Sequence, residues 1–151
     1  MKRTSPFRSL EIVHGALLGG LVLLGGAVYY LNTGPGLSAN YSVEGGFMPW
    51  IVPAALAAGM AVAYLINRRR LASAPDGASA AERWRHYRTT CFLRWGLVEG
   101  PVILSFLFFL LDEDWNYLLY GLIGLAFLVV LRPARSELER YYRLGASELA
   151  Q

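Results

Sequence analysis

The sequence predicts an all-α integral membrane protein, a four-helix bundle of two transmembrane hairpins with both ends on the cytoplasmic side. Three observations lead there. The 151 residues are 55% hydrophobic and 17% charged, against a usual charged share of about 25%. The apolar residues fall in four long runs. The basic residues fall in segments that alternate with segments holding none. One domain is expected, occupying residues 1–151.

The runs are 12–31 (IVHGALLGGLVLLGGAVYYL), 47–66 (FMPWIVPAALAAGMAVAYLI), 91–111 (CFLRWGLVEGPVILSFLFFLL) and 115–131 (WNYLLYGLIGLAFLVVL). A hydrocarbon core of about 30 Å needs roughly 17–25 residues of helix, so all four qualify, the last at the short end. Helix is the form that satisfies every backbone donor and acceptor locally in lipid. A soluble bundle would carry polar faces at helical period, and the second and fourth runs have none. The first run is longer than a signal-peptide core and lacks a small-residue cleavage site directly after it, so it reads as an uncleaved anchor.

All 14 Lys and Arg sit in the N-terminal tail (Lys2, Arg3, Arg8), after the second run (Arg68, Arg69, Arg70, Arg83, Arg85, Arg88), at Arg94 and in the tail (Arg132, Arg135, Arg140, Arg143). The connections 32–46 and 112–114 have none. Basic flanks stay cytoplasmic, which sets the orientation and implies a multi-pass protein of the inner (plasma) membrane. This explains the pI of about 9.2 without nucleic acid as a partner.

The connections differ in kind. Residues 33–46 read as an external loop, with a formal sequon at Asn40–Ser42. Residues 111–116 (LDEDWN) read as a tight acidic turn. In the cytoplasmic segment 67–90, Ser79 and Glu82 have capping-box spacing, so the third helix should begin near Ala80, with Trp84 and Tyr87 at the interface. In the amphipathic tail 132–151, Ser136 and Glu139 have the same spacing. A short helix covering the bundle or touching lipid is expected there. Trp50, Trp95, Trp115 and Tyr117 fit interfacial aromatic belts.

A shift of 81 residues lays the first run over the third, and both carry Gly-x-x-x-Gly: Gly15 with Gly19, and Gly96 with Gly100. Small residues at that spacing let helix backbones approach. With the alanines of the second run, they predict tight packing through the first three helices. The candidate proton or ion site is Glu99, a carboxyl deep in an apolar run, where charge is costly and marks function. Pro101 leaves the Leu97 carbonyl without a donor and should bend the helix there. Glu11 and His14, three residues apart, extend this to a Glu11–His14–Glu99 relay. Arg94 is expected to snorkel toward headgroups. One cysteine (Cys91) forms no internal disulfide, two histidines form no metal set, and no cofactor or soluble-type catalytic motif is present.

Around RTTCFLRWGLVEGPVILSFLFFLL and the closing LRPAR, the chain resembles small membrane proteins of Bacteroidetes-like bacteria, over residues 87–135; that resemblance implies a four-helix membrane fold and no activity. Glycine-rich helices with a carboxyl, here Glu99, give a looser similarity to rotary-ATPase proteolipid subunits. The orientation departs from that family, whose hairpin connections face the cytoplasm. The expected role is an accessory or structural subunit, as a homo-oligomer or beside a larger membrane partner. The alternative is a proton- or ion-coupled carrier working through Glu99.

Overall fold

The structure is a computed structural model that describes residues 6–34, 48–73 and 77–143. The loop 35–47 with its sequon, the charges Lys2 and Arg3, and the tail beyond 143 lie outside the described residues. Five helices pack together: α1 Pro6–Thr33, α2 Met48–Ala72, α3 Ala80–Asp112, α4 Trp115–Val130 and α5 Arg135–Tyr142. Three are long and apolar enough to cross a membrane; a fourth joins them if α4 and α5, bent by 55°, count as one span. The 16 residues of α4 rise about 24 Å, which is why this helix falls short alone.

The capping box expected at Ser79 is formed. The Ser79 hydroxyl accepts from the Glu82 N–H, and the Glu82 carboxylate accepts from the Ser79 N–H. The acidic turn is as tight as expected. Glu113 closes α3 in the left-handed region (φ 55°), and the Asp114 carboxylate caps α4 through the Asn116 N–H at 2.9 Å. The second capping box is not formed. α5 starts at Arg135, with Ala134 at the N-cap and no side-chain cap bond, so Ser136 is already inside the helix.

α3 is the hub and touches all four other helices. Helices α1 and α2 share no contact among the described residues; they flank the α3–α4 pair from opposite sides. The first expected hairpin is therefore not a packed hairpin. Its connection is long enough to carry α2 across the bundle, whereas the turn at 113–114 forces α3 and α4 together.

The buried positions repeat at a spacing of four and three. On α4 they are Tyr117, Gly121, Gly124 and Leu128, followed by Leu131. On α2 they are Val52, Leu56, Gly59 and Ala63, and on α1 Phe7, Leu10, His14, Leu21, Gly25 and Val28. This is the seam of a left-handed bundle. The outward faces are just as apolar, with Leu23 75%, Trp50 74% and Val130 76% exposed. Surfaces of that kind need an apolar solvent.

The expected packing glycines do not pack within the chain. A Cβ at Gly15, Gly19, Gly96 or Gly100 would meet nothing within 4 Å, because all four point outward. Close approach falls to other glycines. Gly25 and Gly121 lie against the Phe106 ring, Gly124 against Val102, and Gly59 against the Leu97 carbonyl and Pro101. The last contact follows from Pro101. α3 runs unbroken through it, its missing N–H leaves the Leu97 carbonyl open, and the Gly59 backbone covers that oxygen. Helices α1 and α3 run parallel with the register of the 81-residue echo: His14 packs on Trp95, and Gly25 on Phe106.

These two classes of glycine predict opposite outcomes. Gly59→Ala drives a Cβ into a backbone carbonyl and should cost about 1–3 kcal/mol. Gly96→Ala, in open space on a helix, should stabilise by about 0.5–1 kcal/mol. Unfolding in mild detergent, followed by tryptophan fluorescence, reads both.

Candidate functional site

Of the three candidate proton-site residues, two meet. Glu11 and His14 line one cavity of about 260 Å³ with Arg132 and Pro133. His14 is buried. Its Nε2 lies 3.1 Å from the Leu128 carbonyl, and its ring stands edge-on to Trp95 at 4.7 Å. A bond to a carbonyl makes Nε2 the protonated nitrogen. Glu11 is exposed. Glu99 follows Trp95 by one turn on α3 and is half-buried. No hydrogen bond or ion pair to it is present among the described residues, so no contact joins it to His14. A group of three or more metal-ligating residues is likewise absent among the described residues.

The densest polar site is one the sequence did not single out. It sits where α3, the end of α4 and α5 converge, and its centre is Arg94. Far from reaching headgroups, Arg94 is 1% exposed. Its guanidinium donates to the Asn67 amide oxygen on α2 at 2.9 Å, to both Glu137 carboxylate oxygens on α5 at 3.3 Å, and to the Arg132 carbonyl at 3.3 Å. Burying a cation is expensive unless it is paired and hydrogen-bonded, and these acceptors supply both. Snorkelling is overturned because α5 folds back over this end of α3. Arg94 lies on the core face of α3, in line with Tyr87, Cys91 and Val98, and its carboxylate comes from the tail.

Neighbouring groups complete the clamp. The Trp95 indole donates to the Leu131 carbonyl at 3.0 Å; with 1% exposure it belongs to the core and not to a belt. Trp50 and Trp115 do remain exposed. Tyr87, expected at the interface, is buried. Its hydroxyl donates to Glu137 at 3.1 Å and accepts from the Ala134 N–H at 3.1 Å. Thus His14, Trp95 and Arg94 take the carbonyls of Leu128, Leu131 and Arg132, which the end of α4 leaves without intrahelical donors.

Helix α5 is held from the same side. Arg83 donates to the Tyr142 and Arg143 carbonyls, favourable at a helix C-terminus. His86 Nδ1 lies 2.9 Å from the Tyr142 hydroxyl. Burial pushes the Tyr142 phenol above its ordinary range. Leu138 and Tyr142 are buried, so the tail helix covers the bundle, one of the two outcomes the sequence allowed. Beside it opens a cleft of about 430 Å³ lined by Arg70, Glu82, Arg85, His86 and Thr89.

The sequence carried one usable signal for this clamp. Arg94, Tyr87 and Cys91 stand three and four residues apart, so an inward-facing Tyr would have turned Arg94 inward as well. No spacing pointed to Glu137, 43 residues away.

The chain matches no family model, no curated protein and no solved structure in the comparisons made with each. Its own fold supports a small helical protein with three to four candidate membrane spans.

Tyr87→Phe removes the bonds to Glu137 and Ala134 and leaves a buried N–H without a partner. That should cost about 1–2 kcal/mol. Amide exchange across Arg135–Tyr142 should then quicken about tenfold while exchange in α1 is unchanged.

Proposed function

We propose that the chain is an accessory or structural subunit of a membrane assembly. It would cross the bilayer four times with both ends cytoplasmic, and dock through the outer faces of α3 and α1. The carrying observation is a pair of unmet features. Gly96 and Gly100 on α3 and Gly15 and Gly19 on α1 form small-residue pairs with open space above them. Glu99, between Gly96 and Gly100 in sequence, is half-buried with no partner among the described residues. In lipid, small-residue pairs invite a second helix, and a carboxyl at this depth needs a donor or a proton.

The proposed orientation draws support from the ends of the chain. Arg135, the first residue of α5, stacks its guanidinium 5.2 Å from the Phe7 ring at the start of α1, so both described termini lie at the arginine-rich end. The fourth crossing would be made by α4, whose rise of about 24 Å is short for a hydrocarbon core of about 30 Å, with α5 lying on the cytoplasmic surface. The orientation and the arginine distribution favour the inner membrane of a bacterial cell.

The second reading is a proton- or ion-coupled carrier, favoured by the same unpaired Glu99. Two variants separate the two. In a subunit, Gly100→Leu should abolish co-purification of a partner, or of a second tagged copy, in mild detergent, while the chain stays abundant and helical. Glu99→Gln should weaken that association. In a carrier, Glu99→Gln should abolish pH-dependent flux in vesicles with association intact. Unchanged association for both variants, with no flux in the wild type, contradicts both readings.

A further inference from the structure

Two cavities lie in the seam between α1 and α4. One, of about 260 Å³, is lined by Glu11, His14, Gly15 and Leu18 on α1 and by Val129 and Arg132 at the end of α4. The other, of about 320 Å³, is lined by Val22, Gly25, Gly26 and Tyr29 on α1, by Leu118, Leu122 and Leu125 on α4, and by Phe106. They adjoin. Leu18 and Val22 are one helical turn apart on α1, and Leu125 and Val129 one turn apart on α4. Both walls therefore continue from the first cavity into the second.

The two ends differ in chemistry. The first cavity carries a carboxylate and a guanidinium, Glu11 and Arg132. Among the described residues neither forms an ion pair with the other, although they share this space. The second cavity is almost wholly apolar, Tyr29 being its one residue with a polar side-chain atom. The distance along α1 from Glu11 to Val22 is about 16 Å, close to half of a hydrocarbon core of about 30 Å. The seam thus presents opposite charges at one membrane surface and an apolar slot reaching the midplane.

We propose that this seam is a binding site for one phospholipid with a zwitterionic headgroup, a phosphate ester bearing an ammonium, as in phosphatidylethanolamine. Arg132 meets the phosphate and Glu11 the ammonium. One acyl chain runs over Gly15 and Leu18 into the slot at Val22 and Gly26. An anionic lipid satisfies Arg132 and is repelled by Glu11; a fatty acid does the same. The missing side chains at Gly15 and Gly26 are what leave the slot open. This rests on the membrane reading above; the site lies on the seam of α1 with α4 and shares Gly15 with the proposed docking face of α1, whereas the docking face of α3 lies outside it.

The test is lipid mass spectrometry of the full chain purified in mild detergent, against the total lipid of the same membranes. Enrichment of phosphatidylethanolamine over phosphatidylglycerol is expected. Gly26→Leu extends a side chain into the slot from a position where an added Cβ meets nothing within 4 Å; it should remove the enrichment with the helical content unchanged. Glu11→Lys should switch the preference to phosphatidylglycerol. A wild-type lipid ratio equal to that of the membrane, enriched phosphatidylglycerol, or an enrichment that survives both variants would overturn the site. So would displacement of the lipid by water-soluble glycerophosphoethanolamine at equal concentration, which assigns binding to the headgroup alone. A chain released from membranes by carbonate refutes the membrane reading itself, a result separate from all of these.

Discussion

A buried guanidinium organises this protein. Arg94 stands on the core face of the hub helix and holds three other elements at once: α2 through Asn67, the end of α4 through the Arg132 carbonyl, and α5 through Glu137. In an apolar interior such a cation is tolerated only with its acceptors in place. The acceptors come from parts of the chain far apart in sequence, so the charge specifies one arrangement of them. The long apolar helices alone, apolar on every side, would specify much less. A short, charged helix such as α5 has little reason to fold by itself; the clamp of Arg83, His86, Tyr87 and Arg94 gives it one.

The bilayer explains what the sequence showed and what it hid. Helix positions were legible because lipid demands long apolar runs, and the ends were legible because caps are local: Ser79 with Glu82, and the acidic turn after Asp112. Facing was not legible. On α4 the buried Leu128 and the exposed Leu122 are the same residue type, so hydrophobicity carries no information about direction. Size does carry it. Gly121 and Gly124 face the Phe106 and Val102 side chains, and the large residues Leu119, Ile123 and Val130 face outward.

Glycine pairs read from spacing alone pointed to the wrong partners. Gly15, Gly19, Gly96 and Gly100 have the motif, but the chain's own close contacts use Gly25, Gly59, Gly121 and Gly124, spread over three helices. Pro101 was legible as a source of an open carbonyl, and its partner Gly59 was not, because that pairing is tertiary. Glu99 was legible as an acid in an apolar run, and it keeps that character as a half-buried group without a partner among the described residues. Open glycines and an open carboxyl on the outside, with a cation inside that is paired through its two terminal nitrogens while its Nε has no partner among the described residues, divide the molecule into a self-contained core and surfaces that look to other molecules.

The most direct test of the central claim is a double-mutant cycle on Arg94→Met and Glu137→Met, read by unfolding in mild detergent. Either single change strands a charge in the clamp and should cost about 3–5 kcal/mol. The double change removes both charges and should recover most of that loss, giving a coupling well above 1 kcal/mol. Additive effects near zero for each change would mean that Arg94 reaches water or headgroups after all, and that α5 is not held by it.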